Sequence, residues 1–452
     1  MRFVFATLQH VESDFYGRVG SELAAQGHEV FHLTYSRRSA ANLRRRGIDA
    51  HCLPDLMSET RPGELDSEER RILERYRIPS LREVYRTDVL PNADVDACRE
   101  RTVRHFLAIE GLFERLAPNV LVSEAGNESI RTVSQLVAGD LGVLTMYPLY
   151  TIFDYGLRLY TETMDAPIVP EEDLRPLSPD EEAELDDFKR RYAERDRPIR
   201  EYRKVRVKTD RLSLILRHVV VRAVWDRDNP YLRPGSWLIR DAREAARARV
   251  ARSLYSPEGE RPFLYFPLHV TGDYKIRRLR PHCADQEAIL GEVAAALPPE
   301  VELVVKEHPM SIGRNPIAML RRLSRIPNVR LVDPHTSSLR LLSRAEGVVT
   351  ISSTVGLEAL LFERPVLTLG RPFYSGYGVT LDLDSPSGVD AAVPRLLDFE
   401  PDRERTRRFL HAAMRRCQPG APVLVDRSDA NARVLAASFA RTAAESGAGV
   451  RA

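Results

Sequence analysis

The feature that most constrains this chain is the alternation between residues 262 and 370. PFLYFPL, VELVVKEHP, NVRLVDP, GVVTIS and PVLTLG read as strands, and Asp285–Leu297, 315–325, 336–345 and 354–362 read as the helices between them. Apolar strands separated by crossover helices are buried on both faces, so they belong to a parallel sheet covered by helices. The spacing predicts a doubly wound α/β domain over 261–400, followed by two or three amphipathic helices in 401–452.

A looser form of the same rhythm fills residues 1–155. Strands are expected at Arg2–Thr7, Glu29–Thr34, Asn119–Ser123 and Val143–Tyr147, and helices at Phe15–Gln26, 97–116 and 128–141. Gly27, between a helix and a strand, suits a left-handed helix cap. Between 156 and 260 the rhythm stops, and an acidic block (Glu171–Asp187) precedes a basic one (Arg200–Arg211) in a helix-prone region read as an insertion. Nothing resembling a Gly-rich dinucleotide fingerprint follows the first strand. Two such domains in tandem point to a ligand held in a cleft at the carboxyl ends of the strands.

Charge narrows the partners. Lys+Arg 67 against Asp+Glu 65 leaves a net +2, which gives no global field for a nucleic acid. The cations are almost all arginine, with five lysines at 189, 204, 208, 275 and 306, so each lysine position is informative. The four cysteines are dispersed and suggest neither a zinc site nor a disulfide framework, which fits a reducing cytosol. The amino terminus meets Gln9, His10 and Glu12 too early for a secretion signal, and no apolar run reaches membrane-spanning length. A cytoplasmic protein is expected, with a place at the inner membrane face open to it.

The residues just after the strands of the second domain form one unusual set. They are His269, Asp273 and Lys275; Lys306, His308 and Pro309; and Ser352, Ser353 and Thr354. Small hydroxyl residues opening a helix suit a phosphate at the positive end of the helix dipole, although the same residues also serve as ordinary caps. Lys306 and His308 add cationic or donor groups on a neighbouring strand. Each charge-assisted hydrogen bond to a phosphate contributes ~1.5–3 kcal/mol, so three or four suffice for micromolar binding. Asp273, in a Gly-containing loop beside Lys275, is either a turn residue or a working carboxylate.

FPLHVTGDYKIR, LVVKEHP, ISSTVGLEALLFERPVLTLG and FYSGYGVT together resemble the capsule polysaccharide biosynthesis family, whose characterised members are retaining β-Kdo glycosyltransferases using CMP-Kdo. The resemblance is dense over 262–382 and weaker at FDYGLRLYTE (153–162). It implies a GT-B-like fold, with two Rossmann-like domains facing a cleft. It further implies that His308 and Pro309 hold the CMP moiety, that Ser352, Ser353 and Thr354 bind its phosphate, and that Glu358 meets the ribose or cytosine. Asp273 would attack the anomeric carbon or stabilise the oxocarbenium ion. Asp154 matches the family's acidic-Gly motif in part, with Tyr155 where a second acid is common. Glu124, after the Asn119–Ser123 strand, competes with it as acid or base.

His269 replaces the family's frequent glutamine and Arg277, Arg278 and Arg280 crowd the next loop, which leaves the transferred sugar open. No metal or other cofactor is expected, because no DxD pair stands at a strand end and the CMP-sugar is itself a substrate. The acceptor implied is a glycan or lipid-linked glycan. In the insertion, the basic run 200–222 leads into Leu212, Ile215, Leu216, Val219 and Val220 at helical spacing, which suits either an anionic membrane surface or ordinary packing. Two other functions are compatible with the pattern: a sugar-nucleotide epimerase, and a non-catalytic accessory protein of polysaccharide export.

Overall fold

The computed structural model describes residues 1–8, 10–60, 62–90, 93–154, 156–160, 169–195, 219–227, 229–232, 234–270 and 272–448. The chain divides into two compact units. Unit 1 comprises Met1–Ala166, Arg206–Pro234 and Cys417–Ala452, and unit 2 comprises Pro167–Val205 and Gly235–Arg416.

Unit 1 is built on β1 (Arg2–Thr7), β2 (Glu29–Thr34), β3 (Asp49–Cys52), β4 (Val120–Ser123), β5 (Leu144–Tyr150) and β6 (Gly156–Tyr160). The order is β6-β5-β4-β1-β2-β3, and a two-residue strand at Gln418–Pro419 extends the β6 edge. β5 through β3 are parallel, whereas β6 runs antiparallel to β5 and to the returning strand. The sheet is buried on both faces because β1 alternates between two cores. Val4 and Ala6 join Val103, Phe106, Ile109 and Phe113 of the helix Val95–Leu116, while Phe3 and Phe5 join Phe15, Val19, Leu435 and Phe439. Burying one such large side chain contributes ~1.5–3 kcal/mol.

Unit 2 holds β7 (Phe263–Pro267), β8 (Glu302–Lys306), β9 (Val329–Val332), β10 (Gly347–Thr350), β11 (Val366–Thr368) and β12 (Leu381–Asp382). Its order, β12-β11-β10-β7-β8-β9, is parallel throughout and is the doubly wound arrangement 3-2-1-4-5-6. The order reverses between β7 and β10, so both strand ends at that point are where a ligand is expected.

The tandem parallel α/β architecture matches the expectation, but the chain does not change units where composition changes. β6 lies beyond residue 155 and completes the first sheet. The helices Pro179–Ala193 and Pro234–Ala251, read as parts of an insertion, group with unit 2. The tail also divides, with Arg403–Arg415 in unit 2 and Asp429–Glu445 in unit 1. Electrostatics accompanies the first helix, since its acids and those just before it meet basic side chains of the tail. Asp186 pairs with Arg407 at 2.6 Å, Glu171 with Arg405 at 2.8 Å, and Glu184 lies 3.2 Å from His411. Most of the basic run 200–222 lies outside the described residues; Val219 and Val220 are exposed.

Candidate functional site

Parallel pairing of β8, β7, β10 and β11 places their carboxyl ends side by side on one edge of unit 2. At the switch point the two central strands are tied together by His269. Its Nε2 accepts from the Ser352 amide at 3.1 Å, and Gln286 clamps its backbone, accepting at 2.8 Å and donating at 3.2 Å. Burial pulls the His269 ring down to about 3, with Lys275 and His308 adding to the effect. It is therefore a neutral structural link rather than a cation.

The turn Ser352-Ser353-Thr354 opens the helix Thr354–Leu361 as the sequence predicts. Ser353 Oγ accepts from the Val355 amide at 3.2 Å, and the Ser353 amide donates to Thr350 Oγ1 at 3.1 Å. Ser352 Oγ is buried and has no hydrogen-bond partner, a condition that costs ~1–3 kcal/mol unless a ligand or water relieves it. Lys275 Nζ donates to the Ser352 carbonyl at 3.3 Å, which brings a cation to the helix start. Gly356 is required here, because a Cβ would lie 2.2 Å from the Tyr374 hydroxyl, itself bonded to the Ser353 carbonyl at 2.5 Å.

Asp273 stands at the entrance of the wide turn Lys275–Leu279, and its Oδ1 accepts from the Lys275 amide at 2.9 Å. Asp273 is thus a half-buried residue that caps this turn. His308 Nδ1 accepts from the Met310 amide at 3.1 Å and caps the turn opened by Pro309. That bond leaves the neutral ring with its hydrogen on Nε2.

Lys306 and Glu358 sit deeper than residue type suggests, at 7% exposure each. Lys306 donates to the Thr336 carbonyl at 2.9 Å and to Ser338 Oγ at 2.5 Å, bracing the loop after β9. Burial pulls it down to about 8, and Glu358 and Asp333 oppose that pull. Burial pushes Glu358 up to about 7 against the field of Lys306 and a hydrogen bond from Tyr192. Sequence reasoning missed Tyr192. It stands far from the strands in sequence, and only the salt-bridged docking of its helix brings it to the site.

Unit 1 carries a different chemistry at its own switch point, between β1 and β4. Arg131 holds Glu12 at 3.0 Å and Glu128 at 3.1 Å, and Glu12 also accepts from the Leu8 amide at 3.0 Å. Glu124, just after β4, accepts a hydrogen bond from the Tyr16 hydroxyl. Asp154 is half-buried in the β5–β6 turn, on the same edge of the sheet as Glu124. Gly156, two residues further on, is dictated by packing, because a Cβ there would lie 2.9 Å from that of Cys417. Among the described residues no group of three His, Cys, Asp or Glu is arranged to hold a metal ion, and no helix is long and apolar enough to cross a membrane.

The fold and the edge of unit 2 define a doubly wound α/β protein with an anion-suited turn at its switch point. Residues 192–396 match the model of the family described as capsule polysaccharide biosynthesis protein. It is 32% identical over 169 residues to protein FixF of Sinorhizobium fredii, covering 36% of this chain and 40% of FixF. The capsule polysaccharide export protein KpsS of Escherichia coli is 32% identical over 116 residues, or 25% of this chain and 28% of KpsS. The capsule polysaccharide modification protein LipA of Neisseria meningitidis is 32% identical over 84 residues, or 19% of this chain and 12% of LipA. The chain thus spans well under half the length of these relatives. Among solved structures, the β-Kdo 2,7 transferase KpsC of Thermosulfurimonas dismutans aligns with a TM-score of 0.32 at 16% identity, covering 64% of this chain and 80% of that one.

Proposed function

We propose that this protein is a glycosyltransferase of surface-polysaccharide assembly that takes a Kdo-like sugar from a CMP donor and passes it to a glycan or lipid-linked glycan. The observation that carries this reading is the buried, partnerless Ser352 hydroxyl at the start of a helix, on the doubly wound switch point and beside Lys275. That turn would take the single phosphate of CMP, with Ser353, Thr354 and the helix dipole. His308, fixed by Met310 and Pro309, would donate from Nε2. Lys306 and Glu358 would act from beneath, holding the β8 end and the helix in place.

Asp273 would displace CMP from the anomeric carbon, the C–O bond to phosphate breaking as the bond to its carboxylate forms. The acceptor oxygen would then displace Asp273 and lose its proton to a carboxylate, for which Asp154 and Glu124 are the candidates, with net retention. The cations and the helix dipole serve the departing phosphate without a metal. The basic run 200–222 would meet the anionic inner face of the membrane, where a lipid-linked acceptor lies.

CMP release from CMP-Kdo, followed by mass spectrometry with and without an oligosaccharide acceptor, is the direct test. Asp273→Asn is expected to lower turnover by roughly 10³-fold or more while CMP still binds. Full activity in that variant removes the nucleophile, and titrations that register UDP but not CMP overturn the donor.

A further inference from the structure

At the switch point of unit 1, an aromatic hydroxyl and a carboxylate meet in a way the capping pattern does not require. The Tyr16 ring, on the helix His10–Ala25, is 2% exposed and stacks on Phe5 with centroids 5.4 Å apart, while Phe15 meets its edge at 5.5 Å. Its hydroxyl donates to Oε1 of Glu124, which is half-buried at the carboxyl end of β4. Two further carboxylates flank the site: Glu12, from the helix that carries Tyr16, and Glu128, from the loop after β4. Arg131 already binds both. Arg131 also reaches the Ala125 carbonyl at 3.3 Å, so its guanidinium is spread over three acceptors. Tyr16 is thus the neutral donor that the packed aromatic wall supplies to Glu124.

We propose that Tyr16 is a positioning residue for Glu124, holding its carboxylate in one orientation and in the ionised form so that it can take the proton of an acceptor sugar hydroxyl. The inference rests on the transferase reading and selects Glu124 over Asp154 as the base. The proton moves from the acceptor hydroxyl to Glu124 as the acceptor oxygen bonds to the anomeric carbon and the leaving oxygen departs with its electron pair. A donor bonds the ionised form more strongly than the neutral one and so lowers the carboxyl pKa. Without Tyr16 the same base is ionised only at higher pH, while Glu12 and Glu128 oppose its ionisation and Arg131 favours it.

Tyr16→Phe keeps the ring that packs on Phe5 and Phe15 and removes only the hydroxyl. With CMP-Kdo and an oligosaccharide acceptor, kcat at neutral pH is expected to fall about tenfold or more, with the donor KM unchanged. The acid limb of the kcat profile should move up by ~1 pH unit. Glu124→Gln should abolish that limb, and adding Tyr16→Phe to it should cost nothing further. A kcat loss with the limb unmoved, or full additivity in the double variant, overturns the proposal. A second readout does not need turnover. In protein labelled with [13C]glutamate, the carboxyl resonance that disappears in Glu124→Gln should titrate at higher pH in Tyr16→Phe than in the wild type, and an unchanged midpoint overturns the proposal. If that midpoint moves but no CMP-Kdo is consumed by the wild type, the transferase reading fails while the Tyr16–Glu124 coupling stands.

Discussion

The two units share a parallel fold but differ in what stands at particular helix starts. In unit 1 carboxylates of the unit itself stand at the starts of the first two helices. Glu12 accepts from the Leu8 amide beside the first helix, and Asp226 accepts from the Arg37 amide at 2.6 Å and from Ser36 at 2.7 Å. In unit 2 the corresponding turn carries hydroxyls, one of them partnerless, with Lys275 alongside. A helix end already holding a carboxylate repels a phosphate, whereas one lined with hydroxyls invites it. One side chain at each of these helix starts thus decides whether the end is filled from within or left open.

The largest effect is expected from breaking the internal filling of unit 1. Arg131→Met leaves Glu12 and Glu128 uncompensated and should cost ~3–5 kcal/mol of stability in urea unfolding, while CMP affinity of the folded protein stays unchanged. A loss of CMP binding with stability intact would erase the distinction between the units. A smaller change should follow in unit 2. Ser352→Ala removes a hydroxyl with no partner in the protein, so stability should hold or rise, while CMP binding by calorimetry weakens about tenfold. A stability loss with CMP affinity intact would make Ser352 a plain structural residue.

The smallest effect is a pH slope, in which Glu358 gives unit 2 a contribution of the opposite sign to the one that buried histidines give both units. Glu358 rises from 4.5 to about 7 on folding because burial favours its neutral form. The folded state binds the extra proton, so this contribution is complete below pH 4.5 and is lost as pH climbs through 7. Glu358→Gln should flatten that fall in urea midpoints measured from pH 4.5 to 8; an unchanged slope would show that the carboxyl is ionised throughout. In unit 1, His32 and His105 drop from 6.5 to about 3 through burial. Their unfolded forms bind the extra protons, so stability is lost as pH falls from 6.5 towards 3, a sensitivity that His269 gives to unit 2 as well.

The parallel cores were legible because near-continuous apolar strands and helical spacing are local properties. All five strands expected in 262–370 are present, and the helix expected at 354–362 is found at Thr354–Leu361. What escaped was non-local. β3 has the sequence DAHC, and β12 is two residues long; both exist by pairing with neighbours rather than by composition. Tyr192 and Tyr16 escaped for the same reason, since each reaches its carboxylate from a helix distant in sequence. Residue type alone also hid the depth of Lys306 and Glu358, because a charged residue after a strand reads as a surface group until packing shows what covers it.

The path of the chain has a consequence for how the protein is made. The helix Asp429–Glu445, which supplies Leu435 and Phe439 to the core behind β1, lies more than 400 residues after that strand. A ribosome therefore releases every strand of unit 2 before unit 1 can close. Until then the part of the Phe3 and Phe5 face that Leu435 and Phe439 cover stays open beside Phe15 and Val19, a surface that a chaperone can hold during synthesis. Neither unit can be expressed as a continuous fragment, and removing the last helix should damage the part of the molecule that was translated first.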